Sequence, residues 1–361
     1  MTPFRIDFKK FTLKFINPMG TSRGTLYERD TYIVFLSSGT NKGSIGLGEC
    51  APLKGLSVDA RPDFARKLQE VCDLLNNAAK PSDLELTGWP AIRFGLETAF
   101  LDLEKGGQHR LFETDFTRGK QSIPINGLIF MAEFETMLTQ VRRRIAAGFD
   151  CIKLKVGALD FDSECELLKE IRKRFAPSQI QIRLDANGAL EVDSALEKIR
   201  RFSQFAVHSI EQPIQAGQWQ KMAQLCAQSP IPIALDEELI GVHSLSEKEE
   251  ILRTIKPQFI ILKPTLLGGL AASNEWLYLA NRVNIKAWIT SALESNIGLN
   301  CISQWTSTLP CDMHQGLGTG QLFKANFRTP LQVTQGHLTY SSTQNWERLH
   351  SIADLKLHKI S

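Results

Sequence analysis

The sequence has no uninterrupted apolar run near the roughly 20 residues that a membrane-spanning helix needs. No membrane partner is therefore expected. The first fifteen residues, MTPFRIDFKKFTLKF, lack the apolar block and small-residue cleavage site of a secretory signal. They alternate Phe4, Ile6 and Phe8 with polar residues, as a strand does. Cysteine is sparse and odd in number, seven in all, with no C-x-x-C pair. That argues against a disulfide framework or a zinc ribbon, and for buried, reduced thiols in a cytoplasmic protein. An excess of one charge is also missing. Lys+Arg 42 against Asp+Glu 39 leaves +3, too little to imply nucleic acid. The local basic runs at 142–144 and 172–174 fall within helical patterns and read as solvated helix faces. What remains is a chain of 361 residues, 43% hydrophobic and 22% charged. At roughly 150 residues per domain it has room for two domains and a large core.

The first third reads as an α+β unit. Thr31 to Leu36 is rich in β-formers, SSGTNKG follows as a turn, and Ile45 and Leu47 resume an extended segment. Phe64, Leu68, Val71 and Leu75 then recur at helical spacing, and RFGLETAFLDLEKGG forms a second helix with Gly106–Gly107 as its stop. From about Ser122 the rhythm changes. Seven short apolar or alternating runs recur, each followed by a helical stretch: IPINGLI, CIKLKVG, IQIRLDANG, FAVHSIEQP, PIALDEEL, FIILKPTL and IKAWITSAL. A weaker eighth lies at His314–Leu317. Alternation of strand and helix over this length means parallel βαβ units, and the count favours a closed barrel over an open sheet.

Several of these strands end in a charge. Lys153 and Lys155 share one strand face, with Ile152, Leu154 and Val156 on the other, because side chains alternate with period two. Asp185, with Arg183 on its own face, Glu211, Asp236 and Lys263 close the following runs. From Lys155 onward the intervals are 30, 26, 25 and 27 residues, each about one βα unit. Successive residues therefore land on successive strands at the same end, the mouth where barrel active sites form. A single Asp there is commonly a helix cap, and Asp185 could cap the turn through Asn187 and Gly188; a single Lys is commonly a solvated loop residue. Six such placements in register are much harder to reach by accident.

Three carboxylates facing one cavity repel each other unless a cation sits among them. Oxygen ligands from Asp185, Glu211 and Asp236, with no His or Cys, suit Mg²⁺, with Mn²⁺ as a substitute, rather than zinc. Lysines flanking such a site are candidates for acid–base chemistry, and the like charge of Lys153 beside Lys155 is expected to lower the latter's pKa.

The motifs Lys153-Leu154-Lys155, Asp185-Ala186-Asn187, Glu211-Gln212-Pro213, Asp236-Glu237 and Lys263-Pro264 resemble those of the enolase superfamily, in its muconate-lactonizing-enzyme-like subgroup. A lysine base beside Mg²⁺ is a known pattern of that superfamily. GLGECAPL, RFGLETAFLDL, INGLI, HSIEQPI, ILKPTLLGG, ITSALESNIGLN and HQGLGTGQLF extend the likeness, over nearly the whole chain, to its o-succinylbenzoate synthase family. The resemblance implies a (β/α)₇β TIM-like barrel at residues 121–324. It also implies an α+β capping domain at 1–120, completed by the tail from about 325 to 361. It implies that Asp185, Glu211 and Asp236 bind Mg²⁺, that Lys155 is the base tuned by Lys153, and that Lys263 faces the substrate from the opposite side. Arg183, Asn187 and Glu237 would support these residues. Thr290, Ser291, Gly316 and Gly318 would hold the carboxylates of a small-molecule substrate, under capping loops at Thr21–Gly24 and Ala51–Leu56. The implied reaction is dehydration of 2-succinyl-6-hydroxy-2,4-cyclohexadiene-1-carboxylate to 2-succinylbenzoate, in menaquinone synthesis.

A racemase of N-succinylamino acids, or a related epimerase, would use the same lysines and stays open as an alternative. A dipeptide epimerase is disfavoured, because its D-x-D signature is replaced here by ITSALES. A non-catalytic barrel would not need the six charges as a set. Glu238 and Glu294, near the expected mouth, read as hydrogen-bonding residues. Whether the chain forms a homo-oligomer is left open.

Overall fold

Alternating residues near the N-terminus build a three-stranded antiparallel sheet in the computed structural model, which describes residues 4–21, 24–38, 44–157, 159–310, 312–346 and 351–359. Its strands are β1 (Phe4–Thr21), β2 (Gly24–Ser38) and β3 (Ile45–Cys50), in the order β1-β2-β3. The register of β1 against β2 shifts between Lys14 and Met19. Of the expected turn SSGTNKG, residues 39–43 lie outside the described residues, as do Ser22 and Arg23 of one capping loop and Cys311. The six other cysteines are buried free thiols.

Helices α1 (Phe64–Asn76) and α2 (Pro90–Glu104) cover one face of this sheet. Phe64, Leu68, Val71 and Leu75 of α1, spaced on one helical face, pack with Ile6, Val34 and Leu36. Helix α2 meets β3 at bare backbone: a Cβ on Gly48 would lie 1.8 Å from the carbonyl oxygen of Gly95. The other face of the sheet, through Ile33, Phe35 and Leu47, packs on Ile297, Phe327 and Leu355.

After a short strand β4 (Ile123–Pro124) the chain alternates strand and helix. In order come β5 (Gly127–Ile129), α3 (Phe134–Ala146), β6 (Cys151–Lys155), α4 (Phe161–Arg174), β7 (Gln181–Asp185), α5 (Val192–Ser203) and β8 (Val207–Glu211). There follow α6 (Trp219–Gln228), β9 (Ile233–Leu235), α7 (Leu245–Ile255), β10 (Phe259–Leu262), α8 (Pro264–Leu267), α9 (Leu270–Arg282), β11 (Lys286–Ile289) and α10 (Asn296–Thr306). Helix α4 shows the local logic. Asp160 caps it by accepting from the Ser163 amide at 3.0 Å, acids fill its first turn and Arg172–Arg174 its last, as the helix dipole favours. Arg172 departs from the solvated-face reading: it donates to the carbonyls of Phe205 and Ile180 and ties α4 to its neighbours.

β5 to β11 form a seven-stranded parallel sheet in sequence order. The weak eighth run closes it. Gln315 bridges Ile125, and Gly316 bridges Thr290 beyond the end of β11, both in parallel sense. The inner layer holds Ala234, Ile261 and Trp288, while Ile152, Leu154, Ile182, Leu184, Ile210, Leu235, Ile260 and Leu262 join the main core with the helices.

The tail divides its contacts. β13 (Leu331–Thr334) and β14 (His337–Tyr340), which follow β12 (Ala325–Asn326), form a hairpin paired with β4 at the entry to the barrel. The chain touches the N-terminal sheet both before this hairpin, where Phe323 bridges Phe15 and Phe327 packs under it, and after it, with Leu355 in the same core and β15 (His358–Lys359) paired to β12. Among the described residues no helix is long and apolar enough to cross a membrane.

Candidate active site

The period-two alternation turns Lys153 and Lys155 of β6, Arg183 and Asp185 of β7, and Glu211 of β8 toward the barrel axis. Asp236 and Lys263 follow β9 and β10 directly. The six predicted charges do meet. Lys153 Nζ lies 2.9 Å from Asp185 Oδ2 and 2.5 Å from Glu211 Oε2; Lys155 Nζ lies 2.6 Å from Asp185 Oδ2, and Lys263 pairs with Asp236. Strands β6 and β10 stand four places apart in a ring closed by the eighth segment. Lys155 and Lys263 therefore face each other across the mouth, with the three carboxylates on the strands between them.

Burial makes these pairings energetically decisive, since Asp185, Glu211 and Asp236 are 0, 2 and 2% exposed. Burial opposes ionisation of Asp185, but the charges of Lys153, Lys155 and Lys263 outweigh it and hold the carboxyl well below its usual range. Glu211 goes the other way: burial, then the charge of Asp185, pushes it up to about 8. Burial disfavours the Lys153 ammonium, yet Asp185, Glu211 and Asp236 overcome this and raise its pKa. Lys263 is likewise raised, by Asp236 and Glu211 against burial. Lys153 is thus first of all a counter-charge to the carboxylates.

The donor set fits a hard divalent cation. It is all oxygen, carried on three consecutive strand ends, and Glu211 Oε1 is buried with no hydrogen-bond partner. Among the described residues no three His, Cys, Asp or Glu side chains converge into a ready-made metal site, because the carboxylates are turned onto the lysines.

The supporting residues sort by depth. Asn187, at φ 44°, accepts from Lys155 Nζ at 2.6 Å through Oδ1, donates its backbone N–H to Asp185 Oδ1, and gives its Nδ2 proton to Glu237 Oε1 at 2.9 Å. Arg183 was expected in the same company, yet it sits one pleat deeper. Two residues along a strand is roughly 6–7 Å, so its guanidinium stacks 4.2 Å from the Trp288 ring and donates to the His314 carbonyl. Glu238 accepts from Gln212 Nε2 and the Gly217 amide, while Gln212 Oε1 accepts the Asp236 amide. Glu294 accepts from Thr265 Oγ1 and the Ala292 amide.

A pocket opens above the lysines, and Lys153, Lys155, Lys263, Asn187, Thr290, Ser291, Gly316 and Gly318 all line it. Thr290 Oγ1 is buried without a partner, and Ser291 Oγ meets Thr319 Oγ1 at 2.5 Å. Gly316 is required by closeness, since a Cβ there would lie 2.6 Å from Thr290 Oγ1. Leu53 and Leu56 line the pocket from the 51–56 capping loop. Residue-level reading missed Met19 and Leu26, which enter from β1 and β2, and also Asn126, Leu293 and Thr319. Asn126 carried a signal, a polar residue in an otherwise apolar strand run. Met19 and Leu26 carried none, because nothing local says that an N-terminal strand reaches a distant barrel mouth.

A family model described as "Enolase C-terminal domain-like" matches residues 136–344. The o-succinylbenzoate synthase of Desulfotalea psychrophila is 43% identical over an alignment that covers 94% of this chain and all of that protein. A crystal structure of MenC from the same organism superposes with a TM-score of 0.83 at 41% identity, covering 93% of this chain and 99% of that one. A dipeptide epimerase from Enterococcus faecalis, solved with Mg and the dipeptide L-Leu-L-Tyr, has a TM-score of 0.76 at 16% identity, covering 97% of this chain and 99% of that one. That second likeness speaks to the fold alone. With its charged strand ends and curled parallel sheet, the chain belongs to the enolase superfamily and, within it, to the o-succinylbenzoate synthase family.

Proposed function

We propose that the protein is a carbon–oxygen lyase that dehydrates 2-succinyl-6-hydroxy-2,4-cyclohexadiene-1-carboxylate to 2-succinylbenzoate, a step of menaquinone synthesis in the cytoplasm. The observation that carries this reading is the facing pair Lys155 and Lys263 with three buried carboxylates between them. Identity of 43% to a synthase over nearly the full chain supports it.

Asp185, Glu211 and Asp236 would hold Mg²⁺, with Mn²⁺ as a substitute. The chemistry a bound metal supplies is stabilisation of negative charge on the substrate carboxylate. Lys155, acting as the base, takes the proton from the carbon that bears this carboxylate. The C–H electron pair becomes a ring double bond as the neighbouring C–O bond breaks. Lys155 then returns the proton to the departing hydroxide, so one residue serves as base and then acid, and water leaves on the same face. Lys263 stays protonated on the other face and offsets charge as it develops. Thr290, Ser291 and the backbone at Gly316 and Gly318 hold the remaining carboxylate, and the apolar wall of Leu53 and Leu56 excludes water.

A second reading, racemisation of an N-succinylamino acid, is favoured by the same opposed lysines, which could exchange protons across the pocket. A paired assay separates the two. Loss of cyclohexadiene absorbance with Mg²⁺, abolished by EDTA, is expected. Absence of that turnover, with rapid solvent-deuterium exchange into an N-succinylamino acid, would transfer the assignment to the racemase.

A further inference from the structure

Both walls of the pocket end on one buried guanidinium. Arg29, on β2 of the N-terminal sheet, is 5% exposed. Its Nη1 donates to the carbonyls of Ala292 and Leu293, each at 2.6 Å, and its Nη2 to the carbonyl of Ala51 at 2.7 Å. Ala51 opens the loop that carries Leu53 and Leu56 into the pocket, and Ala292 and Leu293 line the pocket after β11. A single planar fork therefore sets the distance between two loops that are over 200 residues apart in sequence.

The 291–295 loop needs such a hold. Leu293 has φ 65°, a left-handed conformation that strains a bulky residue. The segment is anchored immediately after that strained point. Glu49, fully buried on β3, accepts from the amides of Ser295 and Gly298 and from Ser295 Oγ, which fixes the start of α10. Glu294 is tied to Thr265, two residues beyond Lys263. Ahead of these anchors, Arg29 grips the carbonyls of Ala292 and Leu293, where the chain would otherwise relax.

We propose that Arg29 is a positioning residue that sets pocket width and hence substrate affinity. It acts through the 51–56 and 291–295 loops without touching the substrate. Only the choice of substrate rests on the synthase reading.

The test uses the full-length chain with Arg29→Lys, which keeps the charge but loses the planar fork, and Arg29→Ala with and without ethylguanidinium. For Arg29→Lys, KM is expected to rise about tenfold while kcat stays within about threefold. Hydrogen exchange should accelerate in 51–56 and 291–295 but not in 299–306 of α10. Ethylguanidinium should lower the KM of Arg29→Ala and leave the parent unchanged. An unaltered KM in both variants would overturn the proposal. So would a loss of exchange protection across the whole chain, or a failure to fold even with ethylguanidinium, since either assigns Arg29 to stability alone. If the parent itself fails to dehydrate the cyclohexadiene, only the synthase reading falls, because the exchange measurement needs no substrate.

Discussion

Asn187 holds Lys155 by its side-chain oxygen at 2.6 Å and is itself held by Glu237, so the orientation of the lysine is set by a relay from the loop after β9. Asn187→Leu removes the acceptor while keeping a similar volume. Turnover is expected to fall about 10–100-fold, with KM little changed, as for other residues that orient reacting groups. Lys155→Ala should cost more, about 10²–10⁴-fold in kcat. Steady-state kinetics on both variants checks the order. A near-native rate in Lys155→Ala would remove the lysine from its assigned role.

Gly316 makes a sharper test of the pocket wall. An alanine there would press on Thr290 Oγ1 at 2.6 Å and Cγ2 at 2.7 Å. Gly316→Ala is expected to destabilise by about 1–3 kcal/mol and to raise KM. Adding Thr290→Ala removes both crowding atoms, so denaturation should show less than additive loss in the double variant. Strict additivity would mean that the two residues do not share this contact.

Metal binding has a readout that does not depend on turnover. A cation bound at 100 times its Kd adds about 2.7 kcal/mol to the folded state. Mg²⁺ should raise Tm, and Glu211→Gln, which keeps the shape but loses the charge, should remove most of that rise. Equal shifts in parent and variant would place the ion elsewhere.

Asp59 gives the chain a pH-dependent weakness outside the site. Its Oδ2 accepts the Ala91 amide at 2.8 Å in the first turn of α2, yet burial pushes the carboxyl from 3.8 up to about 6. Between those values the folded state binds more protons than the unfolded state, so this group's contribution falls as pH rises. It is fully favourable below about 4 and is lost above about 6, a span of roughly 2–3 kcal/mol. Asp59→Asn keeps an acceptor for Ala91 and cannot ionise. Denaturation from pH 4 to 8 should show the variant gaining on the parent up to about pH 6 and running parallel above it. A constant difference across that range would contradict the shift.

Some of this was legible residue by residue. The alternation that turns Lys153 and Lys155 to one face, and the near-constant interval from Lys155 to Lys263, are properties of strand pleat and βα-unit length. Neither needs a folded neighbour, so the convergence of charges at the barrel mouth could be drawn from the chain alone. Arg183 shows where that logic stops. Sharing a face with Asp185 was readable, but its depth, with the guanidinium stacked on Trp288, depends on how the barrel fills its lower layer.

By itself, then, the sequence determined the barrel, the converging charges and the N-terminal α+β layer, because each is written in short-range periodicity. Only the tertiary structure decided which loops close the pocket and what holds them. Leu26 from β2, Leu53 from the capping loop and Leu293 from the barrel meet around one cavity, and Arg29 spans the carbonyls of Ala51, Ala292 and Leu293, through contacts up to 264 residues apart. Such contacts follow from packing one domain's sheet over another's mouth. No local pattern of residues encodes that distance.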